Sequence, residues 1–219
     1  MRSLTIAAVF RRKSYNRTST LTAANEARGR GRVRKAISGY SEILRNQPDD
    51  HQVHARIAPL LAKVGRREES RKSFNAAGDG YLAAGFADKA IAVWSLAAQH
   101  FPEDVRFWER IANEQVRRGH KADAVRALLQ GRDQLRSRSQ RPRAILLLEQ
   151  VLALDAFNVD AKLDLAKLLR LEGKRREAKR LLNELSRTVQ GPKASRVRAA
   201  QFRISPSFRT FFAWVFGRP

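Results

Sequence analysis

The feature that most constrains the fold of this chain is an internal repeat with a step of 54 residues, marked by Gly65, Gly119 and Gly173. The same step relates several further columns of small or apolar residues, which are Ile57/Ile111/Leu165, Ala58/Ala112/Ala166, Ala36/Ala90/Ala144, Ile37/Ile91/Ile145, Tyr40/Trp94/Leu148 and Pro48/Pro102/Ala156. Because these independent columns share one period, we expect repeated structural units that stack on one another.

Within each period the apolar residues recur at helical spacing in three stretches, and the breaks fall at glycine or proline. The β-branched runs that are typical of strands are missing. The predicted helices are 21–28, 33–46, 51–64, 67–84, 87–100, 105–118, 121–138, 141–154, 159–172, 175–189 and a weaker basic helix at 193–202. Each helix is amphipathic and can bury its apolar stripe only against a neighbour, so the sequence predicts an all-α fold.

Several of these stretches resemble the tetratricopeptide repeat. The first match consists of Gly78, Tyr81, Gly85, Ala90, Trp94, Ala97 and Pro102, and the second of Trp108, Ile111, Ala112, Gly119, Ala124 and Leu128. A looser match consists of Leu165, Ala166, Gly173, Ala178 and Leu182, while Gly31, Ala36, Tyr40 and Pro48 match the second half of a repeat. The resemblance covers about residues 20–190 and implies a right-handed α-solenoid of stacked antiparallel helices, a superhelix of tetratricopeptide type.

The repeat departs from the family in its length. A tetratricopeptide unit is a helix pair of about 34 residues, whereas this chain steps by 54 residues with three helices. We therefore expect the middle helix of each period to serve as the second helix of one pair and the first helix of the next.

Motifs for catalysis and for metal or cofactor binding are missing from the sequence. There is no phosphate-binding glycine loop, nucleophile elbow or zinc-protease motif, and cysteine is absent. His51 and His54 lie close to Asp49 and Asp50, but no further ligand follows at a suitable spacing, so we interpret them as part of a capped helix start. The sequence predicts a protein that is not an enzyme and has no cofactor.

The resemblance also implies a concave groove lined by the first helix of each pair. The residues that would line it are mostly basic: Arg56, Pro59, Lys63, Arg110, Asn113, Arg117, Lys167 and Arg170. Charge-assisted hydrogen bonds from these side chains suit an acidic or extended segment of a partner protein. The sequence therefore predicts a protein-interaction scaffold, although cations that merely solvate a helix surface would give the same pattern.

The formal net charge of +23 supports a second hypothesis. Basic clusters at Arg66-Arg67, Arg117-Arg118 and Lys174-Arg175-Arg176 recur near the helix turns and would align as a ridge suited to phosphate contacts. An RNA-associated repeat protein, contacting phosphates through this ridge and its basic ends, is thus the alternative function. An arginine-rich genome would explain the charge without any such partner.

The composition divides the chain into three regions: a basic arm at 1–19, the helical repeat domain at 20–190, and a basic helix with an aromatic tail at 191–219. The tail residues Phe208, Phe211, Phe212, Trp214 and Val215 are interpreted as an anchor. This anchor either caps the last repeat, docks into a partner's groove, or lies on an anionic membrane surface.

No apolar run in the sequence approaches the ~20 residues needed to span a bilayer. A cytoplasmic location is the expectation. Import into mitochondria stays open for a eukaryotic source, because residues 1–25 contain five Arg or Lys and no acid.

Overall fold

Each helix predicted from the repeat is present in the computed structural model, which describes residues 15–204 together with 206, 210, 214 and 215. These residues form eleven α-helices, one short 3₁₀-helix and no strand. The α-helices are α1 (Arg17–Gly29), α2 (Val33–Asn46), α3 (His51–Lys63), α4 (Arg67–Ala83), α5 (Ala87–His100), α6 (Val105–Arg117), α7 (Lys121–Asp133), α8 (Arg141–Leu154), α9 (Val159–Leu171), α10 (Arg175–Thr188) and α11 (Pro192–Ile204). The all-α prediction is confirmed.

Side-chain caps begin every third helix. Asp50 accepts a hydrogen bond from the backbone N–H of Val53 at 3.0 Å at the start of α3, and Asp104 caps α6. Asn158 accepts a hydrogen bond from the backbone N–H of Ala161 at 3.0 Å at the start of α9. Such caps satisfy backbone donors that have no partner inside the helix.

Glycine turns end these same helices. Gly65, Gly119 and Gly173 have φ angles of 83°, 80° and 82°, in the left-handed region that other residues rarely adopt. After α3 the backbone N–H of Arg66 donates to the carbonyl of Leu61 at 2.9 Å, which closes the helix end. The chain therefore reverses within three residues, and the next helix packs directly against the one just completed.

The chain divides into two compact units, one of the described residues up to Ala90 and one from Ile91 onward. In the first unit α1 packs against α2, α2 against α3, and α3 against α4. Its core includes Tyr40, Ile43 and Val53, each fully buried.

The second unit continues the same pattern of packing between neighbours. Each of the helices α6 to α10 packs against the next one, and α11 also contacts α9. Helix α7 packs against both α6 and α8, as the helices α8, α9 and α10 do against their own neighbours. Leu148, Val151 and Leu182 are among its fully buried side chains.

The end of α7 differs from the prediction. The apolar pattern predicts a helix to Arg138, but α7 ends at Asp133 and Leu135 turns inward, with 3% of its surface exposed. Ser137 and Gln140 then form a reciprocal cap, in which the backbone N–H of Ser137 donates to Oε1 of Gln140 at 3.0 Å. Burial of Leu135 and this cap together stop the helix early and lead the chain into α8.

Within the described residues, no helix combines the length and the apolar character that a membrane crossing requires.

Candidate functional site

Helices α9 and α11 enclose a basic cleft of about 470 Å³ in the second unit, hereafter the α9–α11 cleft. Its lining combines four cations, two carboxylates and a set of aliphatic side chains. The lining residues are Asp160, Leu163, Asp164, Lys167, Arg170, Arg196, Ala199, Ala200, Arg203 and Ile204.

Both carboxylates of the cleft already have arginine partners. Nη1 of Arg196 donates to Oδ1 of Asp160 at 2.6 Å, which joins α11 to α9. Nη2 of Arg132, on α7, donates to Oδ1 of Asp164 at 2.7 Å. These two carboxylates therefore do not neutralise the remaining cations of the cleft.

Those remaining cations are Lys167, Arg170 and Arg203, and none of them has a carboxylate partner among the described residues. Lys167 and Arg203 are exposed and Arg170 is half-buried. Leu163 and Ile204 add apolar surface between them. The cleft can therefore hold an anionic group by charge-assisted hydrogen bonds and an aliphatic side chain by contact.

Two predicted groove residues, Lys167 and Arg170, thus lie in the same cleft.

The predicted residues on α6 have different surroundings. The guanidinium of Arg110 lies 4.7 Å from the ring centre of Trp94, which is buried, and burial lowers the pKa of Arg110. Nη1 of Arg117 donates to Oε2 of Glu114 at 3.3 Å. Asn113 is exposed in a separate cleft of about 460 Å³ between α6 and α8.

The predicted groove residues of the first unit lie along α3. Nη1 of Arg56 donates to Oδ1 of Asn25, on α1, at 3.1 Å. Pro59 is half-buried and Lys63 is exposed in the last turn of the helix. That all eight predicted residues line one groove stays a prediction.

Arg196 and Arg203 were not among the predicted site residues, although they supply half of the cations of the α9–α11 cleft. The sequence assigns them to a basic helix beyond the repeat domain, whereas α11 packs on both α9 and α10. One signal was available, since the two arginines lie seven residues apart. That spacing places them on the same face of a helix.

The part of the predicted anchor that the structure describes contacts α11. The ring of Trp214 stacks on the ring of Phe202, with centroids 5.5 Å apart and planes within 5° of each other. Trp214 and Val215 remain about half exposed. Phe208, Phe211 and Phe212 lie outside the described residues.

The histidines near Asp49 and Asp50 take part in packing. The ring of His51 meets the ring of Tyr81 edge to face at 4.7 Å. Nε2 of His54 lies 2.7 Å from the carbonyl oxygen of Pro48. No group of side chains in the described part of the chain is arranged to hold a metal ion.

Residues 135–201, which include α8, α9 and α10, match the family model of the tetratricopeptide repeat. The match confirms, for this segment, the resemblance seen in the sequence. The family model covers most of the residues that line the α9–α11 cleft. The tetratricopeptide fold indicates a protein-interaction scaffold, and proteins with this repeat are generally non-catalytic and bind protein partners.

Several solved structures are similar to the chain at low sequence identity. A tetratricopeptide repeat protein from Parabacteroides merdae has 11% identity over 86% of this chain and 85% of its own, with a TM-score of 0.32. PilF from Pseudomonas aeruginosa has 15% identity over 90% and 86%, with a TM-score of 0.27. A thermophilic tetratricopeptide repeat protein from Thermus thermophilus has 16% identity over 86% and 98%, with a TM-score of 0.28. No curated protein sequence matches the chain.

Proposed function

We propose that this protein is a non-catalytic scaffold whose basic clefts bind an acidic, extended segment of a partner protein. The observation that carries the proposal is the charge of the α9–α11 cleft. Lys167, Arg170 and Arg203 line it without a carboxylate partner in the described chain, while Asp160 and Asp164 are occupied by arginines.

The cleft surface favours a segment that alternates acidic and aliphatic side chains. Lys167 and Arg170 lie three residues apart and so project from neighbouring positions on α9. Leu163 and Ile204 supply apolar contacts on the two sides of the cleft. An extended strand places successive side chains on opposite faces, so its acidic side chains could meet the cations while its backbone stays solvated.

The cations with intramolecular contacts have a different role in the proposal. Arg56 is held by Asn25, and Arg110 is held against the ring of Trp94. Because these guanidinium groups are already oriented, little side-chain entropy is lost when they receive an anion. We therefore expect each of them to offer an anion contact on the surface of its own unit.

A peptide-binding measurement tests this function. The ligand is a labelled 12-residue peptide of alternating Glu and Leu, and its matched control replaces every Glu by Gln. We compare the wild-type protein with the cleft variant Lys167→Gln/Arg170→Gln/Arg203→Gln. Because each lost charge-assisted hydrogen bond is worth roughly 1.5 kcal/mol, we expect Kd to rise at least tenfold.

A second variant controls for net charge. Arg28→Gln/Arg45→Gln/Arg138→Gln removes three exposed cations from three separate places, so its net charge equals that of the cleft variant. We expect it to change Kd by less than about threefold, since exposed charges act weakly at a distance in salt. Equal weakening in both variants, or equal binding of the Glu and Gln peptides, would contradict the proposal.

A further inference from the structure

Helix α10 carries a cationic surface that the proposed function does not use. Its exposed basic residues, together with the residue that precedes the helix, are Lys174, Arg175, Arg176, Lys179, Arg180 and Arg187. None of these six side chains has an ion-pair or hydrogen-bond partner among the described residues. We define them as the α10 basic face.

The α10 basic face differs from the other two members of the predicted ridge. At the start of α4, Nη2 of Arg66 lies 2.5 Å from Oε2 of Glu69. At the end of α6, Nη1 of Arg117 lies 3.3 Å from Oε2 of Glu114. Those clusters are thus partly neutralised within the chain. The ridge is not uniform, since the cations of its α10 member form no ion pair within the described part of the chain.

The acidic residues of α10 lie along one edge of the basic face, with Glu177 three residues before Arg180 and Glu184 three residues before Arg187. Glu177 and Glu184 lie seven residues apart and therefore share one edge of the helix. Glu184 points toward α9, where its Oε1 lies 3.9 Å from Nζ of Lys162. The buried stripe of α10, formed by Ala178, Leu182 and Leu185, occupies the opposite side. Arg176, Lys179, Arg180 and Arg187 lie opposite this stripe, whereas Lys174 and Arg175 flank it at the start of the helix.

The first turn of α10 is an unfavourable place for these cations. The N-terminal end of a helix carries a partial positive charge, so basic side chains there lower helix stability. Lys174 stands at the N-cap without a side-chain hydrogen bond, and Arg175 and Arg176 follow it directly. An external anion at this face would relieve the repulsion and also interact favourably with the helix end.

We propose that the α10 basic face binds the phosphate backbone of nucleic acid. From Arg175 to Arg187 the face is about 18 Å long, since a helix rises about 1.5 Å per residue. A nucleic-acid strand carries a phosphate about every 3.4 Å along a duplex axis, so several phosphates lie within reach at once. Four of the six cations are arginines, which bind phosphate oxygens through two parallel hydrogen bonds.

The composition of the face favours nucleic acid over a membrane surface. Helices that lie on membranes combine cations with exposed apolar or aromatic side chains. The exposed positions between the cations of α10 include Asn183 and Ser186, which are polar. The face also has no aromatic side chain on which a base could stack. The α10 basic face therefore contacts only the phosphate backbone of the nucleic acid and has no sequence preference.

A salt titration with labelled RNA tests this proposal. The ligands are a 20-nucleotide oligouridine and a mixed-sequence RNA of equal length, and the proteins are the wild type and the face variant Arg176→Gln/Lys179→Gln/Arg180→Gln. We expect both RNAs to bind alike and the variant to lose at least tenfold in affinity at about 0.1 M salt. The slope of log affinity against log salt should fall by about 2, or roughly 0.7 for each lost phosphate contact.

The Arg28→Gln/Arg45→Gln/Arg138→Gln control removes the same charge from separate sites and should retain most of its RNA affinity. Glutamine is a good helix former, so far-ultraviolet circular dichroism should show that the face variant stays folded. Equal loss of affinity in the control and the face variant would overturn the proposal. The proposal would also be overturned if the protein bound phosphatidylserine vesicles but not RNA, and if that vesicle binding depended on the same three residues.

The cleft variant separates this inference from the proposed function, because it alters different residues. RNA binding that survives Lys167→Gln/Arg170→Gln/Arg203→Gln supports an independent surface on α10. RNA binding that is lost with the cleft variant and kept by the face variant would assign the phosphates to the cleft and overturn the inference.

Discussion

The contact between Trp108 and Gly131 shows how one side chain sets the distance between two helices. Nε1 of Trp108, on α6, donates to the carbonyl oxygen of Pro102 at 3.2 Å, which fixes the indole ring. The ring lies directly against Gly131, which is buried on α7. A Cβ atom at position 131 would lie 2.6 Å from Cγ of Trp108. Glycine is thus required at position 131 by packing, although it is a poor helix former.

Gly131→Ala should therefore destabilise the protein. The overlap with a fixed indole ring costs roughly 1–3 kcal/mol and outweighs the ~1 kcal/mol that alanine normally adds to a helix. We expect a lower free energy of unfolding in urea titrations. The matched control is Gly29→Ala in α1, where an added Cβ has no atom within 4 Å. That control should be neutral or slightly stabilising, and an equal loss in both variants would contradict the packing argument.

At the scale of elements, the start of α3 combines a cap with an ion pair. Oδ1 of Asp50 accepts from the backbone N–H of Val53, and its Oδ2 accepts from Nε of Arg17, on α1, at 3.1 Å. Burial raises the pKa of the Asp50 carboxyl, but the hydrogen bonds from Arg17 and Val53 and the charge of Arg17 outweigh burial. The pKa therefore lies below its ordinary value. The same carboxylate begins one helix and ties it to another.

This pairing predicts a pH dependence of stability. The folded-state pKa of Asp50 lies below the unfolded value of about 3.9, so its contribution is present at neutral pH and is lost as pH falls below about 4. Asp50→Asn keeps a good helix cap, as Asn158 forms naturally at the start of α9, and removes the charge together with the Oδ2 acceptor of the Arg17 hydrogen bond.

We expect Asp50→Asn to cost about 1 kcal/mol in urea unfolding at pH 7, a modest value because Arg17 is partly exposed. The difference between variant and wild type should shrink as the pH is lowered through the folded-state pKa of Asp50. A difference that stays constant over this pH range would show that the charge of Asp50 is not responsible.

The elements that sequence predicts well are those with local signals. The starts of α3, α6 and α9 carry capping residues at Asp50, Asp104 and Asn158, and glycines follow the ends of the same helices. The end of α7 was missed because it depends on the burial of Leu135, which is a tertiary contact. Local pattern is enough for helix number and order, but the place where a helix stops can depend on distant packing.

The candidate site was only half predictable for a similar reason. Lys167 and Arg170 lie on a helix that the repeat itself identifies. Their electrostatic setting depends on Arg132, which reaches Asp164 across 32 residues of sequence. No spacing rule connects those two residues. Which cations remain available for a ligand therefore became visible only in the structure.

At the scale of the whole molecule, the net charge of +23 causes repulsion among the cations, and this repulsion destabilises the folded state. Several surface ion pairs offset it locally, such as Arg126 with Asp123 at 2.8 Å. Exposed pairs of this kind contribute little to stability. Repulsion among the excess cations should therefore dominate the response to salt.

We expect the Tm to rise when sodium chloride is increased from about 0.01 M to about 0.5 M, because the Debye length falls from ~30 Å to only a few ångströms. Each kcal/mol of relieved repulsion should raise the Tm by about 2–4 °C for a chain of this size. Differential scanning calorimetry measures this shift. A Tm that falls with salt would show instead that ion pairs outweigh the net charge.

The packing of each helix against its neighbours in the sequence has a consequence for folding during translation. Within each unit, α1 to α4 and α6 to α11 make contacts that close only short loops of chain. Such contacts form quickly and do not wait for distant segments. Each helical hairpin can assemble as soon as it leaves the ribosome, so little apolar surface is exposed to aggregation while the remainder is still being translated.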